Sequence, residues 1–292
     1  MPCYHPINAW KPPPGYQLPG GKGVTFNDPC DARFLPIQLP CGQCVGCRLE
    51  RSKDWALRCI HEAQFHEENC FLTLTYEEDR FSLCVEDIQL FLKRLRKHVE
   101  PLKIRFFQCG EYGSLNFRPH HHVLVFGYNF PDRKVWGRSV AGFIYRSDIL
   151  ERLWPFGFST IGDVSFDSAA YVARYIMKKQ TGRNAEEYYQ GRKPEFITMS
   201  RRPGIGQQWF ATYGVDLYQR DFITYNQGLR AKPPRYYDNL FGANHKEELN
   251  GIKEKRLLAV QRPDVQVELT PERLAAREEV VKSKLSLTER SL

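Results

Sequence analysis

Five side chains in this 292-residue sequence could do chemistry together: two histidines, a glutamate and two tyrosines. The histidines lie in Arg118-Pro119-His120-His121-His122-Val123-Leu124-Val125-Phe126-Gly127, whose β-branched and aromatic residues predict a strand ended by the glycine. Side chains alternate faces along a strand, so His120 and His122 point the same way and can grip one metal ion. His121 points the other way and reads as a spacer, although a twisted strand would let it compete as a ligand. Glu111, in Gln108-Cys109-Gly110-Glu111-Tyr112-Gly113, stands just before the loop that leads to His120. A hairpin there would fold its carboxylate back toward the histidines. Two imidazoles and one carboxylate leave positions open on a divalent ion.

The tyrosines lie in Tyr171-Val172-Ala173-Arg174-Tyr175-Ile176-Met177-Lys178-Lys179. At about 100° per residue, Tyr171, Tyr175 and Lys178 fall within roughly 60° of one another on a helix. Ala169, Val172, Ala173 and Ile176 make the opposite, core-facing stripe. Tyrosines at helical spacing are commonly packing residues. Here they occupy the face that burial does not need, which suits a pair of phenol nucleophiles. A phenol ionises near pH 10 and attacks poorly unless its deprotonation is helped. A nearby lysine and metal ion would favour the phenolate and offset charge building on a phosphate.

These groups need elements to hold them. Helical spacing runs from about Val45 to Glu67, and Phe71–Tyr76 reads as a strand. Glu86–Val99 reads as an amphipathic helix, with Ile88, Phe91, Leu92 and Leu95 turned inward. Ile104–Gly110 and the histidine strand read as an antiparallel hairpin. A loop and a short helix near Ser147–Leu153, a strand at Phe158–Val164 and a helix at Ser168–Lys179 follow. The expected class is α+β: an antiparallel sheet with flanking helices, mostly on one face. Residues 1–40, rich in proline and glycine, read as an irregular arm, 41–218 as the main domain and 219–292 as an extension. Within that extension 228–250 reads as loop, and a helix is expected from Thr270-Pro271 to about Ser286.

The chain is 42% apolar and 13% aromatic, enough for a real core, and its net charge of +8 favours an anionic partner such as nucleic acid. Nine cysteines, three of them spaced as Cys41-x2-Cys44-x2-Cys47, do not resemble a secreted disulfide framework. No apolar run approaches the roughly 18 residues of a membrane span, and MPCYHPINAWKPPPGYQLPG lacks the build of a signal peptide. A reduced cytosolic compartment is expected. Cys41, Cys44 and Cys47 need a fourth ligand to close a structural zinc site, and Cys30 or Cys3 could supply it. The bland alternative is a cysteine-rich helix start packed in reduced form.

Taken in order, CGQCVGCRLERSKDWALRC, FLTLTY, GEYG, RPHHHVLVFG, AAYVARYIMKK and SRRPGIG resemble the HUH endonuclease superfamily. More closely, they resemble the rolling-circle replication initiators of gokushovirus-like microviruses, over residues 40–215. The resemblance implies an HUH fold with an RRM/ferredoxin-like palm. It also implies a metal-dependent enzyme that nicks single-stranded DNA at the viral origin through a 5′-phosphotyrosine and later rejoins the circle. His120, His122 and Glu111 then match the metal ligands, Tyr171 and Tyr175 the nucleophiles, and Lys178 or Lys179 the lysine that follows. FLTLTY matches the motif that shapes the DNA-binding sheet, so Thr73 and Thr75, with Arg118 and Arg174, are the expected DNA contacts. The ion is expected to be Mg2+ or Mn2+: nitrogen ligands suit Mn2+, phosphate oxygens and cellular abundance favour Mg2+. No GxxxxGK[ST] loop is present, so a host helicase and polymerase are expected partners, in the host cytoplasm. Other readings are a transposase or relaxase of the same superfamily, or a non-enzymatic zinc-containing nucleic-acid-binding protein.

Overall fold

A computed structural model of the chain describes residues 3–113, 116–139, 142–178 and 185–290, without the side chains of 175–178 and 288–290. The elements in chain order are β1 (Ile7–Lys11), β2 (Leu35–Leu39), α1 (Val45–Ala63), β3 (Asn69–Thr75), α2 (Val85–Val99), β4 (Arg105–Tyr112), β5 (Pro119–Phe126), β6 (Lys134–Ser139) and β7 (Gly142–Arg146). Then come α3 (Asp148–Leu153), β8 (Ser159–Gly162), α4 (Phe166–Lys178), α5 (Ala185–Tyr189), β9 (Phe196–Met199), α6 (Gln207–Arg220), β10 (Ile223–Tyr225), β11 (Leu229–Ala231), α7 (Arg235–Asn244), α8 (Lys246–Gln261), α9 (Pro263–Gln266) and α10 (Pro271–Arg290). They gather into two compact units, one of residues 51–252 and one of residues 1–50 with 253–292.

The larger unit is built on a seven-stranded sheet in the order β6-β7-β8-β3-β5-β4-β9. Every pairing in it is antiparallel. Strand alternation sorts its residues into two apolar layers. On one face Cys70, Leu72 and Leu74 of β3 and Val123 and Val125 of β5 meet Ile88, Phe91, Leu92 and Leu95 of α2. On the other, Phe107 and Cys109 of β4 and Leu124 and Phe126 of β5 meet Ala56 and Cys59 of α1 and Ala169 and Val172 of α4. The fold is α+β as expected, but helices cover both faces rather than mostly one. The reason lies in β5, where Val123 to Phe126 are all fully buried, so neither face can be left to water. A third apolar cluster joins Leu57 to α6, α7, the β10–β11 hairpin and the start of α8.

Three stretches for which no strand or helix is expected are ordered here. Residues 134–139 and 142–146 pair as antiparallel strands, although Val135, Trp136 and Phe143 are exposed and no alternation marks them. Phe196–Met199 pairs with β4 at the sheet edge. Residues 229–244 contain β11 and α7, and α8 begins within the supposed loop. In the smaller unit, the expected irregular arm contains the antiparallel pair β1–β2. The terminal helix is α10, beginning at Pro271 as its Thr-Pro start predicts.

Candidate active site

The histidines and the glutamate come together through strand register. Glu111 on β4 lies opposite His120 on β5, and Cys109 lies opposite His122. Residues Glu111, His120 and His122 therefore share one face. Glu111 Oε1 is 3.0 Å from His122 Nε2 and 3.9 Å from His120 Nε2. The imidazole rings stand 5.9 Å apart, nearly perpendicular. Glu111 and His122 are buried, and His120 is half-buried at the open side. Two imidazoles and one carboxylate on a shared face are donor types that could take a divalent cation.

Both glycines of the GEYG segment sit tight against neighbours. A Cβ on Gly113 would stand 3.0 Å from Cε1 of His120, closer than most such contacts. A Cβ on Gly110 would stand 2.8 Å from the Phe196 ring on the opposite face. The sequence pattern singles out the segment, but only the packing shows which neighbour each glycine admits.

His122 is held on its other side as well. Thr73, its register partner on β3, places Oγ1 3.2 Å from His122 Nδ1. When Nδ1 carries the proton and donates to Thr73, the Nε2 lone pair faces the site. Phe71 stacks on the same ring at 5.6 Å. Tyr171 of α4 stands edge-on to it, centroids 5.1 Å apart and 86° between planes. Ala169, Val172 and Ala173 are fully buried on α4 and leave Tyr171 half-buried at the site. Helix α4 carries its backbone one turn further, through Tyr175 to Lys178. Lys179 and the side chains of Tyr175 and Lys178 lie outside the described residues.

The expected DNA contacts are placed unequally. Thr73 is bound to His122, and Thr75 Oγ1 donates to the Phe158 carbonyl at 3.1 Å. Arg118 donates to the carbonyls of Tyr76 and Glu77 at 2.9 and 3.2 Å. The Arg174 guanidinium stands 5.7 Å from the Tyr171 ring centroid.

His121 faces away from this centre. It is fully buried on the α2 side of the sheet, where its Nε2 meets the Tyr76 hydroxyl at 3.0 Å. That hydroxyl donates to Asp87 Oδ2 at 3.0 Å. Burial, helped by the neighbouring His122 and His120, pushes the His121 imidazole down to about 3. It is a neutral structural group, and its place on the opposite face, bonded to Tyr76, makes it no rival ligand. Sequence reasoning missed the Tyr76–Asp87 partnership, since nothing local links those residues. It also missed His61, which bonds the Tyr237 hydroxyl at 2.9 Å and stacks on Trp209 at 3.6 Å.

Four cysteines also converge, in the smaller unit. Cys3, Cys41, Cys44 and Cys47 bring their sulfurs within 4.8 Å of one another and could hold a metal ion. Cys3 takes the fourth place. Cys30 is exposed on the turn after Asp28 and does not join them.

Residues 69–180, from β3 to the end of α4, match a family model described as replication-associated protein ORF2/G2P. The chain is 31% identical to replication-associated protein VP4 of Bdellovibrio phage phiMH2K, over 85% of this chain and 79% of that protein. It is 34% identical to replication-associated protein ORF2 of Spiroplasma virus 4, over 75% and 72%. With replication-associated protein ORF4 of Chlamydia phage 1 the identity is 33%, over 76% and 59%. No solved structure matches the chain.

Proposed function

The chain belongs to the phage replication-associated protein family, and on that premise we propose that it nicks single-stranded DNA at the viral origin to start rolling-circle replication. The observation that carries this reading is the meeting of Glu111 Oε1 with both histidine Nε2 atoms while Tyr171 stands against His122. A Mg2+ or Mn2+ ion held by His120, His122 and Glu111 would supply Lewis-acid polarisation of the scissile phosphate.

The protein groups do the rest. Thr73 fixes the ring of His122 and its tautomer. One of the pair Tyr171 and Tyr175 gives up its phenol proton to solvent and its oxygen attacks phosphorus. The P–O3′ bond breaks, the 3′ oxygen takes a proton from solvent, and the 5′ phosphate stays on that tyrosine. The other tyrosine, one turn away on α4, can then cut the regenerated origin while the first link persists, and the released 3′-OH attacks that link to close the circle. Lys178 and Lys179 offset phosphate charge, and Thr75, Arg118 and Arg174 line the DNA path. Strand separation comes from a host helicase and synthesis from a host polymerase, in the host cytoplasm. Among the described residues no helix is long and apolar enough to cross a membrane. The four cysteines form a second metal site in this reading, for zinc, because thiolates select a softer ion than two imidazoles and a carboxylate do.

The test is a denaturing gel of the protein with labelled single-stranded viral DNA and Mg2+ or Mn2+. A covalent protein–DNA band should form, vanish with EDTA, and vanish in the Tyr171→Phe/Tyr175→Phe variant. Tight binding of origin DNA with no band under any of these conditions would leave a binding protein and remove the enzyme.

A further inference from the structure

We propose that Cys3, Cys41, Cys44 and Cys47 bind one Zn2+, and that this ion takes the place of a hydrophobic core in the unit formed by residues 1–50 and 253–292. The second half rests on reading the cysteines as a zinc site.

The geometry of the sulfurs suits tetrahedral coordination. Zinc–sulfur bonds of about 2.3 Å in a tetrahedron put sulfurs about 3.8 Å apart. Cys44 and Cys3 stand 3.9 Å apart, and all four sulfurs lie within 4.8 Å. All four are free thiols. The backbone is already arranged around them. Cys3 Sγ accepts from the Cys41 N–H at 3.2 Å, and Cys41 Sγ from the N–H groups of Gln43 and Cys44 at 3.4 and 3.3 Å. Cys44 Sγ accepts from the N–H groups of Tyr4 and Cys47 at 3.3 and 3.5 Å. Such donors orient sulfur ligands and spread the charge of several thiolates around one ion.

The second argument is what the unit lacks. Among the described residues its buried apolar side chains are Tyr4, Ala9, Phe34, Cys44 and Leu274. Tyr4, Cys44 and Leu274 form one cluster, and the residues packed on it include Cys3, Cys41 and Cys47. Cys44 is thus part of the cluster itself, and the other three cysteines pack directly against it. Opposite them, α10 presents Leu274 and Val281, and its Glu278 meets His5 Nε2 at 2.9 Å. So little apolar burial is what small metal-stabilised folds show, where ion binding and folding are one event.

The test uses the full chain, purified without chelator. Elemental analysis should find one zinc per chain. Cys3→Ser and Cys44→Ser should each lower it toward zero, while Cys30→Ser and the His120→Ala/His122→Ala variant should keep it. Limited trypsin digestion then reads the fold. Chelator-stripped protein should be cut within residues 3–50 and 271–287, and zinc-loaded protein should resist there. Zinc unaffected by Cys3→Ser and Cys44→Ser, or absent from the intact protein, would overturn the site. Zinc that leaves without changing the cleavage pattern would overturn its role as core while sparing the site. Neither readout depends on nicking, so both stand whatever becomes of the enzyme.

Discussion

Around His122 the sheet buries Phe107, Leu124 and Phe126 completely, with two helices pressed on them. Around Cys44 the terminal unit buries Tyr4 and Leu274 and little else. Both regions set candidate metal ligands on short backbone segments, but they obtain rigidity from different sources. In the sheet the apolar layers come first, and the polar groups are guests fixed by register: Glu111 opposite His120, Thr73 opposite His122. In the terminal unit the candidate ligands belong to the apolar cluster, Cys44 within it and the other three cysteines packed against it. A site that must keep open positions for substrate cannot rely on its ion for its shape. A closed site can.

The comparison breaks most completely if the apolar layers are removed from the sheet. Trp154 is fully buried, donates to the Thr75 carbonyl at 2.8 Å, and packs on Tyr76, Phe91 and Phe156. Trp154→Ala should cost about 3–5 kcal/mol in urea unfolding followed by tryptophan-independent circular dichroism, with added zinc restoring none of it. A loss under about 1 kcal/mol would mean that the sheet is not held by its layers.

Acid sharpens the contrast. Burial holds His61 and His121 each down to about 3, so the folded sheet keeps both neutral. The unfolded chain binds protons from about pH 6.5 downward. Stability from this source is therefore complete above pH 6.5 and drains as pH falls toward 3, by at most about 1.4 kcal/mol per pH unit for each ring. Unfolding of the sheet measured between pH 7 and 4.5 should show that slope, and His61→Gln/His121→Gln should flatten it. A slope unchanged in that variant would assign the acid sensitivity to other groups.

The smallest effect concerns the guests. Thr73→Val keeps the shape and the strand preference of residue 73 but removes the oxygen beside His122 Nδ1. Affinity for Mn2+, measured by titration calorimetry, should fall about 10- to 100-fold with the sheet's stability nearly unchanged. Equal affinity would show that packing by Phe71 and Tyr171 is enough to aim the ring.

Much of the candidate site was legible in the sequence because its arrangement depends on periods of two and of about 3.6. Alternation put His120 and His122 on one face and His121 on the other, and the helical period separated Tyr171 from Val172 and Ala173. The short Glu111–His120 loop made the hairpin readable. What stayed hidden depends on contacts distant in sequence. Cys3 and Cys30 are equally plausible partners by composition, and only the fold distinguishes them. Strand β6 is exposed except at Gly137, so it carries no apolar alternation to read. Helices α6 to α8 pack on Leu57, a residue that local periodicity assigns no partner.

Three consecutive histidines on β5 also bear on accuracy of assembly. A slip of that strand by one residue reverses every side chain. The slipped strand would still show an imidazole on the catalytic face, but a single one. It would drive two more into an interior that offers the Tyr76 hydroxyl to one. The observed alignment places the odd histidine on the α2 face, beside Tyr76, and the pair on the face that carries Glu111, so a misaligned sheet is penalised in the core before any DNA arrives. His121, which touches no substrate in this scheme, would thus act as a proofreader of the strand that carries its two neighbours.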